Sequence, residues 1–210
     1  MQTEKDTTVI LANGTFPSSQ RPLEILRSAA RVVCCDGAAD ACLAAGFLPE
    51  VVIGDLDSLP KNLTERLSER IVHVSEQETN DLNKALRYCL EHGWDSIVIL
   101  GATGKREDHT LGNLSLLVDF SEKIPDISMV TDDGEFIVLR HSGTSSCRCG
   151  QQISIFAMEP DTHIESRGLK YPLNGLAPTR WWQATLNEAL GDSFSLQFPD
   201  NHPLLIYKAF

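Results

Sequence analysis

The sequence lacks any stretch that would carry it into or across a membrane. Its longest apolar runs are strand-length pieces, well short of the roughly 20 residues a spanning helix needs. The opening residues, MQTEKDTTVILANG, have no basic start followed by a long apolar run, so no secretory signal is read there. Low-complexity tracts and internal repeats are missing too. Positive charge is scarce: 18 Lys and Arg against 29 Asp and Glu leave a net charge of −11. That balance argues against a general nucleic-acid binder, which needs a basic face. The six cysteines (Cys34, Cys35, Cys42, Cys89, Cys147 and Cys149) show neither the spacing nor the secretory context of a disulfide framework. Cys147 and Cys149 supply half a zinc site with no second pair nearby. All six read as thiols kept reduced in the cytoplasm.

What is present is an ordinary globular mixture, 42% hydrophobic and 22% charged. The 210 residues suffice for one large domain or two small ones. The first two thirds alternates. TTVILA, RVVCC, EVVIG, IVHVS, SIVILG and DISMVT read as strands. RPLEILRSAA, AADACLAAG, PKNLTERLSER, NDLNKALRYCLEHG and HTLGNLSLLVDF read as the helices between them. Such alternation predicts an α/β fold with a mostly parallel sheet flanked by helices on both faces. Beyond about residue 132 the pattern changes. EFIVLR, QQISIFAM, THIESRG, DSFSLQF and PLLIYKAF are short strands, and only ATLNEAL has room for one helical turn. This predicts a small antiparallel β domain, a sandwich or an open barrel. The domains are placed at residues 1–135 and 136–210.

The acidic residues fall at one kind of place. Asp36 follows RVVCC, Asp55 and Asp57 follow EVVI, Asp81 follows IVHVS in the first turn of a helix, and Asp108 follows SIVIL. Each lies past the carboxyl end of a predicted parallel strand, the edge where open α/β sheets bind ligands. Like charges ~4 Å apart cost roughly 4 kcal/mol at an intermediate dielectric, so such a cluster implies a cation. Hard oxygen donors with few histidines point to Mg²⁺. Taken singly, Asp57 and Asp81 also suit a turn and a helix cap.

LGATGKREDH, from Leu100 to His109, lies between a strand and a helix. Gly101 and Gly104 permit a tight turn with N–H groups facing phosphate oxygens, while Lys105 and Arg106 add cationic donors. The loop is neither a P-loop nor G-x-G-x-x-G. Beside an Mg²⁺ cluster it suggests a nucleoside triphosphate.

CCDGAAD, VVIGDLDS, QETNDLNKAL, LGATGKREDHTLGN and SRGLKYPL, in this order, resemble the motifs of thiamine pyrophosphokinases. The resemblance runs from about Val9 to Leu205. It implies a Rossmann-like α/β domain with a C-terminal β-sandwich, in homodimers whose active site lies between subunits. The implied reaction moves the diphosphate of ATP onto the hydroxyethyl group of thiamine, giving thiamine diphosphate and AMP. By resemblance, Asp36, Asp55, Asp57 and Asp81 form the magnesium and diphosphate site, and Gln77 lines that cleft. Asn13, Gly101, Gly104, Lys105, Arg106, Asp108 and Asn113 fall on the nucleotide side. Tyr171, Leu186 and Asn187 fall by thiamine. Asp55, Asp57 and Asp81 carry the chemistry, with Asp81 the proposed proton acceptor.

Three positions depart from the family pattern. Asn80 stands where Thr is usual and can still cap a helix. Leu186-Asn187 replaces Ser-Asn, and Lys105 replaces a common Gly. Other residues have plainer uses. Trp181 and Trp182, if on a strand, would face in and out, for packing or a subunit contact. His73 and His163 alternate with apolar residues and read as structural. His109 reads as an exposed helix-start residue, and Glu65–Glu78 as a solvated face. Three rival functions are another Mg²⁺-dependent phosphotransferase acting on a pterin or similar alcohol, a thiamine or nucleotide sensor without turnover, and a plain interaction module, which would leave the five rim acids unexplained.

Overall fold

The computed structural model describes residues 6–210. The chain forms two compact units, one ending at Asp132 and one running Asp133–Phe210.

The first unit alternates strand and helix without exception. Its strands are β1 (Thr8–Leu11), β2 (Arg31–Cys35), β3 (Val51–Gly54), β4 (Ile71–His73), β5 (Ser96–Leu100) and β6 (Asp126–Val130). Its helices are α1 (Gln20–Ser28), α2 (Ala38–Ala44), α3 (Lys61–Arg66), α4 (Asp81–Glu91) and α5 (Glu107–Phe120). The strand order is β6-β5-β1-β2-β3-β4, and every pair is parallel. β1 and β3 are buried at every residue, as a sheet covered on both faces requires. Alternate residues separate the faces. Val9, Leu11, Val32, Cys34 and Val52 share one cluster with Leu26 of α1, Cys42 of α2 and Leu63 of α3. α4 packs on β1, β2 and β3 with Leu82, Ala85, Leu86 and Cys89, an i, i+3, i+4, i+7 stripe. The start of α1 is held from a distance: Asp132 Oδ1 accepts the backbone N–H groups of Ser18 and Ser19, each at 2.9 Å.

The order reverses between β1 and β5. In an open parallel sheet that reversal leaves a crevice outside the carboxyl ends of the two strands. The loops after β1 and β5 flank it, and those after β2, β3 and β4 follow along the same rim.

The second unit holds β7 (Gly134–Leu139), β8 (Gly143–Ser146), β9 (Gln152–Ala157), β10 (Glu165–Arg167), β11 (Asn187–Glu188), β12 (Ser193–Gln197) and β13 (Leu204–Ala209). They pair antiparallel as β11-β9-β13-β7 and β10-β12-β8. Ile153 and Ile155 of β9, Phe194 and Leu196 of β12 and Ile206 of β13 meet in one core, making a β-sandwich.

Three local expectations fail here. ATLNEAL contributes β11, not a helical turn, because Asn187 and Glu188 pair with Ile153 and Gln152. The turn comes earlier, at Trp181–Ala184, in 3-10 form, so Trp181 and Trp182 are not split by a strand and are 52% and 75% exposed. His73 and His163 are exposed, not packed.

Candidate active site

Each carboxylate at the rim is placed by the strand before it. Asp36 follows β2 directly, with φ at +41°, in the left-handed region that costs a non-glycine residue of order 1 kcal/mol or more. It is only 2% exposed. Its Oδ2 accepts the Ser58 N–H at 3.1 Å, while its buried Oδ1 has no hydrogen-bond partner among the described residues. Asp55, after β3, accepts the Gln77 amide at 2.7 Å and the Asp57 N–H at 3.3 Å. Leu56 between them has φ +68°, and Asp57 accepts the Ser58 hydroxyl at 2.9 Å. One carboxylate oxygen from each of Asp36, Asp55 and Asp57 lies within 4.8 Å of the others. Gly54 makes this possible. A Cβ there would sit 2.8 Å from the Asp36 Cβ and 3.3 Å from Asp81 Oδ1. No larger residue fits between the two acids.

Asp81 is the first residue of α4 and stands beside this trio. Its Oδ1 pairs with the Lys84 ammonium at 3.1 Å, and the Lys84 side chain is only 3% exposed. Burial pushes the carboxyls of Asp36 and Asp81 above the usual range. The Ser58 N–H opposes that rise at Asp36, and Lys84 opposes it at Asp81. The Gln77 amide holds Asp55 below the usual range. Lys84 is a site residue that the sequence reading missed. The available signal was its i, i+3 spacing from Asp81.

The opposite side is made of two interlocked loops. Ala12 N–H donates to Leu100 O at 2.8 Å, Gly14 N–H to Gly101 O at 2.6 Å, and Thr15 N–H to Thr103 O at 2.8 Å. The Thr15 hydroxyl donates to Gly104 O at 2.9 Å, and Lys105 Nζ to Asn13 Oδ1 at 3.2 Å. A Cβ on Gly14 would lie 2.3 Å from Gly101 O, so only glycine permits this approach. Gly14 and Thr15 were also missed, although Asn-Gly after a strand is a turn signal. Arg106 forks onto Asp108 at 3.1 and 2.5 Å. That guanidinium lowers the Asp108 carboxyl to about 2. Asp108 is thus turned to Arg106 in the first turn of α5 and does not join the acidic trio. Asn113 is buried and donates to Ala102 O at 2.8 Å.

These residues enclose a cavity of about 420 Å³. Asn13, Asp55, Gln77, Asp81, Lys84, Lys105, Arg106, His109 and Asn113 line it, while Asp36 and Asp57 meet the lining residue Asp55. One side offers carboxylate oxygens. The other offers an ammonium, a guanidinium and a glycine loop at a helix start. Such a cleft can take a cation on one side and phosphate oxygens on the other.

In the second unit Tyr171 is 58% exposed. Asn187, 2% exposed, clamps its backbone: Oδ1 accepts the Tyr171 N–H at 3.1 Å and Nδ2 donates to its carbonyl at 2.7 Å. Oδ1 also accepts the Glu188 N–H at 2.9 Å. The Asn187 amide is therefore engaged within the fold, where it holds the Tyr171 backbone beside the expected thiamine contact. Lys170, paired with Glu188 at 2.9 Å, lies 5.9 Å from the Tyr171 ring. Leu186 is 72% exposed with φ +57°.

Known proteins match this layout. The family model described as thiamin pyrophosphokinase, catalytic domain, matches residues 23–129, and that described as its substrate-binding domain matches residues 134–207. Thiamin pyrophosphokinase 1 of Caenorhabditis elegans is 29% identical over 141 residues, 61% of this chain and 57% of that protein. Thiamine pyrophosphokinase of Bacillus subtilis is 32% identical over 140 residues, 63% of this chain and 65% of that protein. The matched stretch is thus under two thirds of either relative's length. Among solved structures, thiamine pyrophosphokinase from Bacillus subtilis superposes with a TM-score of 0.79 at 24% identity, covering 97% of this chain and 98% of that one. The yeast thiamin pyrophosphokinase also gives 0.79, at 18% identity, over 100% and 88%. At such identities the superpositions speak for the fold.

Proposed function

The chain belongs to the thiamin pyrophosphokinase family, and from that premise we propose that it is a thiamine diphosphokinase, moving the diphosphate of ATP onto the hydroxyethyl group of thiamine with release of AMP. The observation that carries this reading is the carboxylate trio at the rim, above all the buried Asp36 oxygen that has no partner among the described residues. A buried, unpaired carboxylate oxygen is costly, and a cation removes the cost. The donors are all oxygen, which fits Mg²⁺. Asp36, Asp55 and Asp57 would hold it with Asp81 beside them, and when bound it neutralises charge on the diphosphate.

The chain's own residues have the following parts. Gln77 orients Asp55 through its 2.7 Å bond. Lys105, Arg106 and the loop at Gly101 and Gly104 meet phosphate oxygens beside Asn13, with Arg106 exchanging Asp108 for phosphate. The thiamine hydroxyl attacks the β-phosphorus in line with the departing AMP, and Asp81 accepts its proton. Burial raises the proton affinity of Asp81, and Lys84 fixes its orientation. Holding the reactants in line supplies most of the rate, because phosphoryl transfer leaves little covalent work to the protein.

Tyr171 stacks on the thiazolium, an attraction worth ~0.5–2 kcal/mol. Leu186 adds an exposed apolar contact. The first domain takes nucleotide and metal, and the second takes thiamine and supports a homodimer. Exposed Trp181, Trp182, Leu186 and Leu190 support such a contact. No described helix is long and apolar enough to cross a membrane.

The test is a reaction of purified protein, thiamine and ATP with and without Mg²⁺, followed for AMP and thiamine diphosphate. Magnesium-dependent AMP is expected. ADP in its place makes this a single-phosphoryl transferase and overturns the proposal.

A further inference from the structure

Asn80 serves two partners with one side chain. Its Oδ1 accepts the Asn83 N–H at 2.9 Å and so caps α4. Its Nδ2 donates to Asn113 Oδ1 on α5 at 3.3 Å. Asn113, 8% exposed, passes its own Nδ2–H to the Ala102 carbonyl at 2.8 Å. Three segments are joined in one line: the start of α4 that carries Asp81, the first half of α5, and the glycine loop after β5. All three residues line the cavity. The line fixes its own orientation. Turning over either amide would set N–H against N–H at one end and oxygen against oxygen at the other.

Capping alone does not require asparagine. Asp, Ser and Thr also cap helices well. Asp brings no donor, however, and the single hydroxyl of Ser or Thr is too short to serve both the Asn83 N–H and Asn113. Only an amide offers an acceptor for the cap and a separate donor for the neighbouring helix.

Resting on the function proposed above, we infer that Asn80 is a positioning residue that acts through Asn113 to fix the glycine loop against the carboxylate side of the cavity before nucleotide arrives. A nucleoside triphosphate bound to both sides needs that separation set. A loop left to settle during binding adds an ordering cost that weakens affinity. The second bond of the line is buried, so water competes with it poorly. Asn80 itself touches no reacting atom in this role.

Asn80→Ser keeps the cap and removes the link, separating the two uses of the side chain. Binding of ATP with Mg²⁺ is measured by calorimetry without thiamine, beside thermal melting and steady-state rates. The variant keeps its cap and is expected to melt about 2–4 °C below the parent, the cost of one net hydrogen bond in a chain of this size. Its dissociation constant for MgATP rises about five-fold, the factor one net hydrogen bond supplies. The KM for ATP rises more than kcat falls. Asn113→Ser breaks the same line at its other end, so the double variant binds no more weakly than the weaker single one. Should Asn113→Ser fail to fold, Asn80→Ser decides alone. Unchanged MgATP affinity in Asn80→Ser, or losses that add in the double variant, overturns the inference. A parent that binds MgATP but forms no AMP overturns the proposed function and leaves the link to be judged by binding. A parent that binds no MgATP overturns both.

Discussion

The two units carry their candidate site residues in opposite ways. In the first, polar and charged groups sit on loops past the ends of parallel strands, on strained backbone at Asp36 and Leu56, and the buried Asp36 Oδ1 has no hydrogen-bond partner among the described residues. In the second, the groups are apolar and exposed, Tyr171 and Leu186 among them, and one buried amide, Asn187, does the holding. Under the proposed function, the first arrangement stores electrostatic cost for a bound cation to relieve, and the second leaves apolar surface in water for thiamine or a second subunit to cover. Substitutions in the first unit should therefore change the chemistry and spare the fold. In the second, the residue that holds and the residue that touches should separate.

The largest effect tests the first half of that contrast. Asp55→Ala is expected to cut AMP formation about 10³-fold, the scale for removing one group that stabilises developing charge. The melting midpoint should hold or rise, because one member of a repelling cluster is gone. Rates and thermal melts of the same preparation check both. Near-parental turnover would mean that the acidic trio is not what the first unit is built for.

The second half is tested by a pair of substitutions. Asn187→Ala leaves the Tyr171 N–H and carbonyl unsatisfied and is expected to cost about 2–3 kcal/mol, or about 5–10 °C in melting midpoint. Tyr171→Ala removes a half-exposed ring and should shift stability by no more than about 0.5 kcal/mol. It should raise the KM for thiamine up to about ten-fold, in keeping with the loss of one stacking contact, and leave that for ATP near the parent. Equal stability losses, or equal rises in both KM values, would erase the distinction between holder and contact.

The same contrast explains what was legible in the sequence. β1, β2, β3 and β5 are buried on both faces, so they read as apolar runs, and the acids that follow β2 and β3 stand out. The rim was visible because charge needs partners from several segments, and each segment shows its own Asp. Lys84 was hidden because a lysine in an amphipathic helix reads as solvent-facing, whereas its partner Asp81 draws it inward. β8, with the sequence GTSS, has no apolar alternation and exists because β12 pairs with it. Asn187 is buried on β11 and bonds to the Tyr171 backbone 16 residues away, a long-range fact that no local pattern encodes. For Trp181 and Trp182 the sequence offers facing in and out only if they lie on a strand, and the 3-10 turn that closes there leaves both exposed.

The smallest expected effect lies on α5, where Asp108 turns away from the acidic trio. Its carboxyl is held at about 2 by Arg106, below the ordinary value of about 3.9 that applies once the chain unfolds. A depressed carboxyl adds stability that is present above the unfolded value and is lost as pH falls through about 2. Between pH 5 and 9 the pair therefore stays ionised and adds no pH dependence of its own. Both partners are largely exposed, so Asp108→Asn should leave the melting midpoint at pH 7 unchanged. It frees Arg106 for phosphate, so the KM for ATP should fall, by no more than about five-fold for an exposed pair, with the shape of its pH profile from 6 to 9 preserved. Initial rates across that range measure it. A rise in KM would mean that Asp108 contributes directly to the nucleotide. The acidic set would then extend onto α5, and the first unit would no longer divide into a carboxylate side and a phosphate side.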